Sequence, residues 1–186
     1  MPTTALLLID VINDFDFPEA PLLLRHALPM AKRIAELKRR AREHAIPVIY
    51  CNDNFGRWRS DFAAQVEHCL NGKNPGREIV ELLRPEKDDY FVLKPKHSGF
   101  YSTTLEVLLE NLGVETVILT GVAANICVLF TANDAYMRDY KVVVPADCVA
   151  SNTKEDNDAV LRQMELVLKA EIPPSTEFDM ASFVGD

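Results

Sequence analysis

Three side chains of this 186-residue sequence, Asp10, Lys94 and Cys127, stand where chemistry can happen. A carboxylate, a cation and a thiol are the parts of a base-assisted nucleophile. Asp10 follows the apolar run Thr4–Ile9, and Lys94 follows the run Tyr90–Leu93. Cys127 comes after the run Thr116–Thr120 and the turn Gly121-Val122-Ala123-Ala124. A free thiol with a pKa of ~8.5 is only about 3% ionised at pH 7, so a working cysteine needs a base or a favourable position. If Asn125 caps a helix running to about Arg138, Cys127 lies in its first turn, where unpaired N–H groups and the macrodipole favour a thiolate. Plainer roles exist for each: a core hydrophobe for Cys127, a cap or ion-pair member for Asp10, a solvated loop lysine for Lys94.

Other chemistries lack their residues. Asp10 and Asp14 are not a D-x-D pair, and Lys96 stands where G-x-S-x-G would need its first glycine before Ser98. No G-x-G-x-x-G and no Walker A occur, so dinucleotide and nucleotide-triphosphate chemistry are unsupported. The four cysteines, Cys51, Cys69, Cys127 and Cys148, form no C-x-x-C pair, and the four histidines no H-E-x-x-H. Twenty basic against 28 acidic residues give a net charge of −8, and so acidic a surface repels phosphate backbones. The longest apolar stretch, Ala5 to Ile9, is far short of the ~20 residues that span a bilayer, and no basic segment precedes it. Nucleic acid and membrane are therefore not expected partners, and the expectation is a single cytoplasmic domain over residues 1–186.

The elements that must position these residues alternate. Short runs of Leu, Ile and Val (Thr4–Ile9, Pro47–Cys51, Tyr90–Leu93, Thr116–Thr120, Lys141–Val144) read as parallel strands covered on both faces. Between them lie amphipathic helices. One is predicted from about Pro29 to His44; another follows a capping box of Thr103 and Glu106 and stops at Gly113; a third opens at Thr153 with Asp156. Residues 52–89 interrupt the rhythm with turn signals and short helical pieces near Asp61–Leu70 and Arg77–Leu83. The tail after Ala170 is read as a sixth edge strand and a short helix. Such an order gives an α/β fold with right-handed crossovers, whose ligand crevice forms past the strand ends where the strand order reverses.

Leu6-Leu7-Leu8-Ile9-Asp10 with Phe15, Lys94-Pro95-Lys96-His97-Ser98-Gly99-Phe100, and Leu119-Thr120-Gly121-Val122-Ala123-Ala124-Asn125-Ile126-Cys127 together resemble the isochorismatase-like cysteine hydrolases, relatives of nicotinamidase and N-carbamoylsarcosine amidohydrolase. The likeness continues through Ala132, Ala135 and Val142–Asp147 and spans essentially the whole chain. It implies a three-layer α/β/α fold with a six-stranded parallel sheet in the order 3-2-1-4-5-6, a catalytic triad of Asp10, Lys94 and Cys127, and a cis peptide between Val122 and Ala123. It also implies a homodimer or homotetramer. Two departures narrow it. Nicotinamidases of the family carry an Asp-x-His pair and a further His that bind metal, but here Asn52-Asp53-Asn54-Phe55 puts Phe55 at the first His position. True isochorismatases lack the cysteine. What the resemblance leaves is a hydrolase with no metal and no cofactor.

In that scheme Asp10 takes the thiol proton as Cys127 attacks an amide, carbamoyl or ureido carbonyl of a small-molecule substrate. Lys94 keeps Asp10 ionised and lowers the thiol pKa, and the N–H groups of Ala123 and Cys127 hold the oxyanion. Water activated by Asp10 then hydrolyses the thioester. Phe15, Trp58 and Phe100 are candidate pocket walls, although core packing explains them as well. Asn13 and Asn125 are candidate polar contacts, and Arg57 and Arg59 flank Trp58 where a substrate carboxylate could be clamped. Two rivals keep the same fold: a non-catalytic small-molecule binder, and a redox-sensing thiol protein with Cys148 as the resolving cysteine.

Overall fold

The computed structural model describes residues 3–56, 61–71 and 73–184. Its frame is a parallel sheet of strands β1 (Thr4–Ile9), β2 (Val48–Asp53), β3 (Tyr90–Lys94), β4 (Thr116–Val122), β5 (Lys141–Val143) and β6 (Val149–Ala150). The order is β3-β2-β1-β4-β5, with β6 paired to β4. Every residue of β1 is buried, because β1 lies at the centre with helices over both faces. Alternate side chains divide between two cores. Leu6 and Leu8 pack with the face covered by α1 (Ala20–Glu43), α2 (Phe62–Leu70) and α3 (Arg77–Leu82). Ala5, Leu7 and Ile9 pack beneath α4 (Leu105–Asn111), α5 (Leu129–Tyr136) and α6 (Lys154–Leu168). Fully burying one such Leu or Ile contributes about 1.5–3 kcal/mol, so this strand anchors both layers.

The order reverses between β1 and β4, whose register sets Ile9 against Gly121. The two backbones meet so closely that a Cβ on Gly121 would lie 2.0 Å from the Ile9 carbonyl oxygen, and its φ of +112° also suits only glycine. Just beyond, within the next turn, the chain reaches the candidate nucleophile, Cys127. The close contact therefore fixes how the ends of β1 and β4 present their next residues.

Several elements differ from the sequence expectation. α1 starts at Ala20, well before Pro29, which lies inside the helix. Pro21 suits the first turn, and the buried stripe Leu23, Ala27, Met30, Ala31, Ile34 and Leu37 runs through Pro29 without a break. That burial outweighs the ~3 kcal/mol an interior proline costs. Thr103 does not form the expected box: its Oγ1 accepts from Leu105 N–H at 3.2 Å while donating to the Gly99 carbonyl, and the N-cap is Thr104. α6 opens at Thr153 as read, with Thr153 Oγ1 accepting from Asp156 N–H at 3.1 Å. The end of the sheet is rearranged as well. β5 stops at Val143, and the two-residue β6 pairs with Gly121 and Val122 of β4 beyond it. The place beside β5 holds a single bridge from Val143 to Glu171, followed by one-turn helices at Ser175–Glu177 and Met180–Phe183. Among the described residues no helix is long and apolar enough to cross a membrane.

Candidate active site

Asp10 is the first residue past β1, turned by a φ of +51°, a region aspartate tolerates better than most residues. Its N–H donates to the Cys51 carbonyl at 3.0 Å. The carboxylate then spans the strand ends: Oδ1 accepts from Asp53 N–H at 2.7 Å, and Oδ2 lies 2.7 Å from Lys94 Nζ. Lys94 ends β3, in register with Asp53, and reaches across the end of β2. Its Nζ also donates to the Lys96 carbonyl at 3.2 Å and to Cys127 Sγ at 3.6 Å. One ammonium thus touches both the carboxylate and the sulfur. The two charged side chains retain only 1% and 9% exposure, so the pair is effectively out of water.

Cys127 is reached from β4 through a cis peptide between Val122 and Ala123 and a single π-helical turn, Ala124–Val128, which leads into α5. The cap of that turn is Ala123, not Asn125 as expected, and α5 ends at Tyr136 rather than near Arg138. Thr131 holds the turn in place, donating to the Cys127 carbonyl at 2.7 Å and accepting from Gly99 N–H at 3.0 Å. That links α5 to the loop after β3, so the sulfur and the ammonium share one scaffold.

The electrostatics correct one expectation. Burial, then the Asp10 carboxylate, push the Cys127 thiol up to about 12, and the opposing pull of Lys94 does not overcome them. Burial and the Asp10 charge thus favour the neutral thiol over the anion that a helix start alone would favour. Burial also raises Asp10 above the usual carboxylate range, against the lowering by Lys94, the thiol and Asp53 N–H. For Lys94, burial pulls downward, but the Asp10 charge and the neighbouring sulfur hold the ammonium above the ordinary lysine range. The arrangement is a neutral thiol facing a carboxylate that is a stronger base than an ordinary aspartate, with a fixed cation beside both.

Above these groups opens a cavity of about 420 Å³. Asp10 and Cys127 form its floor, Phe17, Leu23, Val122 and Ile126 its apolar walls, and Asn13, Glu19, His97 and Asn152 its polar contacts.

The family model for the isochorismatase domain matches residues 4–172. The chain belongs to the isochorismatase family. The family protein YaaI of Bacillus subtilis is 46% identical over 168 residues, covering 90% of this chain and 92% of that protein. A probable inactive nicotinamidase of Arabidopsis thaliana is 30% identical over 172 residues, covering 87% and 88%. The crystal structure of N-carbamoylsarcosine amidase from Thermoplasma acidophilum superposes with a TM-score of 0.74 at 29% identity, covering 95% of this chain and 98% of that one.

Within this family fold the residues read from the sequence divide. Asp10, Lys94 and Cys127 come together, and Ala123 and Asn13 line the cavity beside them. Asn13 uses its Oδ1 to accept from Phe15 N–H at 2.7 Å. Phe15 and Phe100, expected on the walls, are core side chains instead. Phe15 is sealed in the α1-side core, and Phe100 packs beneath α4 and α5 with Arg138 over its ring at 5.0 Å. Asn125 is half-buried in the π turn and is not among the cavity-lining residues. Trp58, Arg57 and Arg59 lie outside the described residues. Two further positions matter. Asn52 is buried, accepting from Ile12 N–H at 3.1 Å and donating to the Ile12 carbonyl at 2.7 Å, which pins the loop just after Asp10. His97 places Nδ1 3.8 Å from Cys127 Sγ. It stands three residues beyond Lys94 on one loop, the only hint the sequence offers of its nearness.

The donors a nicotinamidase-type metal would need do not converge. Asp53 Oδ1 is occupied by Phe55 N–H at 2.6 Å, and His68 Nε2 pairs with Asp14 at 3.1 Å. Among the described residues no three His, Cys, Asp or Glu side chains cluster to hold an ion. Among the described residues the side chains do not fit such a metal.

Proposed function

We propose that this protein is a cysteine hydrolase that cleaves the C–N bond of a small amide, carbamoyl or ureido compound through a thioester on Cys127. The observation that carries this is the Lys94 ammonium, in contact with both the Asp10 carboxylate and the Cys127 sulfur beneath an open cavity. Because the thiol is neutral at rest, deprotonation and attack are coupled. As Sγ bonds to the carbonyl carbon, the thiol proton passes to Asp10, and negative charge moves to the carbonyl oxygen. The N–H groups of Ala123 and Cys127 receive that oxyanion, at about 3 kcal/mol per donor in comparable sites. Collapse breaks the C–N bond, and protonated Asp10 gives its proton to the departing ammonia or amine. Water then adds to the thioester carbon, the C–S bond breaks, and the acid product leaves.

Lys94 contributes by position: its charge stabilises the carboxylate needed as base and any negative charge gathering on sulfur. The carbamoyl option draws support from the likeness to N-carbamoylsarcosine amidase. The redox rival loses ground because Cys148 lies in the core on the α1 side of the sheet, whereas Cys127 packs against the opposite core. The test is an ammonia-release screen across small amides, carbamoyl and ureido compounds. Turnover that vanishes in Cys127→Ala supports the hydrolase. Full turnover in Cys127→Ala removes the thioester, and binding without ammonia release from any compound favours the non-catalytic binder.

A further inference from the structure

His97 is a titratable group at the reacting sulfur that the scheme above leaves unused. Its Nδ1 is 3.8 Å from Cys127 Sγ, within reach of a hydrogen bond to sulfur. The ring rests against Phe130, centroids 5.4 Å apart, and lines the same cavity as the thiol. Two bases thus line the cavity with Sγ, one buried and one exposed. Asp10 is nearly sealed, held by Asp53 N–H and by Lys94. His97 is exposed to solvent while lining the same cavity. An imidazole nitrogen can take a proton from water and return it to a leaving group, which suits the half of the reaction that consumes water.

We propose that His97 is the catalytic base of thioester hydrolysis, so that the two proton transfers are divided between Asp10 for acylation and His97 for deacylation. This rests on the Cys127 thioester put forward above. In the step, the neutral imidazole takes a proton from a water at the rim, and the water oxygen bonds to the thioester carbon. The resulting oxyanion sits on the N–H groups of Ala123 and Cys127. It collapses by breaking the C–S bond, and the leaving sulfur takes the proton back from the imidazolium. Thiol and neutral imidazole are restored, and one water has been consumed.

The probe is p-nitrophenyl acetate, whose leaving group needs no proton, so that acylation and deacylation separate into a burst and a steady rate. The unaltered protein should release a burst of nitrophenolate equal to its Cys127 content, then turn over slowly. His97→Gln should keep the burst amplitude, which also shows that the site is folded, while its steady rate falls by ~10²-fold or more, as expected for loss of a general base. Intact-mass analysis should then find acetyl-Cys127 accumulating. Free imidazole should restore the steady rate of His97→Ala above the background measured with Cys127→Ala. A steady rate in His97→Gln within twofold of the unaltered protein overturns the assignment. So does an equal loss of burst and steady rate, which would place His97 in acylation. A missing burst in the unaltered protein, or an undiminished one in Cys127→Ala, overturns the nucleophile itself and this inference with it.

Discussion

Replacing Lys94 by methionine tests the electrostatic design where its effect is largest. The substitution keeps the length of the side chain but leaves the Asp10 carboxylate, only 9% exposed, without the ammonium now 2.7 Å away. Removing one partner of a buried ion pair costs about 3–5 kcal/mol, because the other charge stays buried and uncompensated. For a chain of this size each kcal/mol lowers Tm by ~2–4 °C, so the loss should be roughly 6–20 °C near neutral pH. The pH dependence has a definite sign. Burial already raises Asp10 above its reference value of 3.8, and without Lys94 it rises further. An acid whose folded pKa is raised binds its proton more tightly in the folded state. The deficit is therefore smallest at low pH, where Asp10 is protonated in both folded proteins, and grows as pH climbs from the parent's folded value, itself above 3.8, through the variant's still higher one. Urea unfolding of Lys94→Met should show a larger stability deficit at pH 8 than at pH 5. Adding Asp10→Asn should recover most of it, since no isolated charge then remains. A Lys94→Met protein within ~1 kcal/mol of the parent at pH 8, or a deficit no smaller at pH 5, would refute the buried-pair reasoning.

Three further outcomes follow from the same geometry. With the thiol pushed up to about 12, iodoacetamide should label Cys127 slowly at pH 7 and roughly tenfold faster per pH unit above 8, and Asp10→Asn should speed labelling while abolishing turnover; faster labelling near pH 7 than a free cysteine shows would contradict it. Gly121→Ala should not give a stable fold, because the new Cβ would meet the Ile9 carbonyl oxygen at 2.0 Å; a normal thermal melt would contradict the close β1–β4 approach. Asn52→Leu strands the Ile12 N–H and carbonyl and should cost ~1–3 kcal/mol with a fall in kcat as Asp10 loses its support; unchanged melting and activity would show that the loop needs no pin.

What the sequence revealed and what it hid have physical causes. The strands were legible because a central parallel strand such as β1 is apolar throughout, and a residue just past its end, such as Asp10, can be named from that run alone. Lys94 and Cys127 were legible for the same reason, at the ends of β3 and after β4. The start of α1 was not, because Pro29 reads locally as a stop and only the tertiary burial of Leu23 and Ala27 reveals the helix before it. The π turn at Ala124–Val128 leaves no periodic signature, so Asn125 looked like a cap. β6 is too short to show a pattern, and its partner is set by where β5 ends. Phe15 and Phe100 sit beside site motifs in sequence, yet their side chains turn into the two cores. His97 and Asn52 contact residues 30 and 40 positions away, a distance no local pattern encodes.

The central claim is that Cys127 forms a covalent acyl bond during turnover. Acid-quenching the protein during hydrolysis of a compound found by ammonia release, followed by intact-mass and peptide mapping, tests it most directly. A hydroxylamine-sensitive acyl adduct is expected on the Cys127 peptide and absent in Cys127→Ala. Turnover that proceeds with no adduct, or that survives in Cys127→Ala, would contradict it.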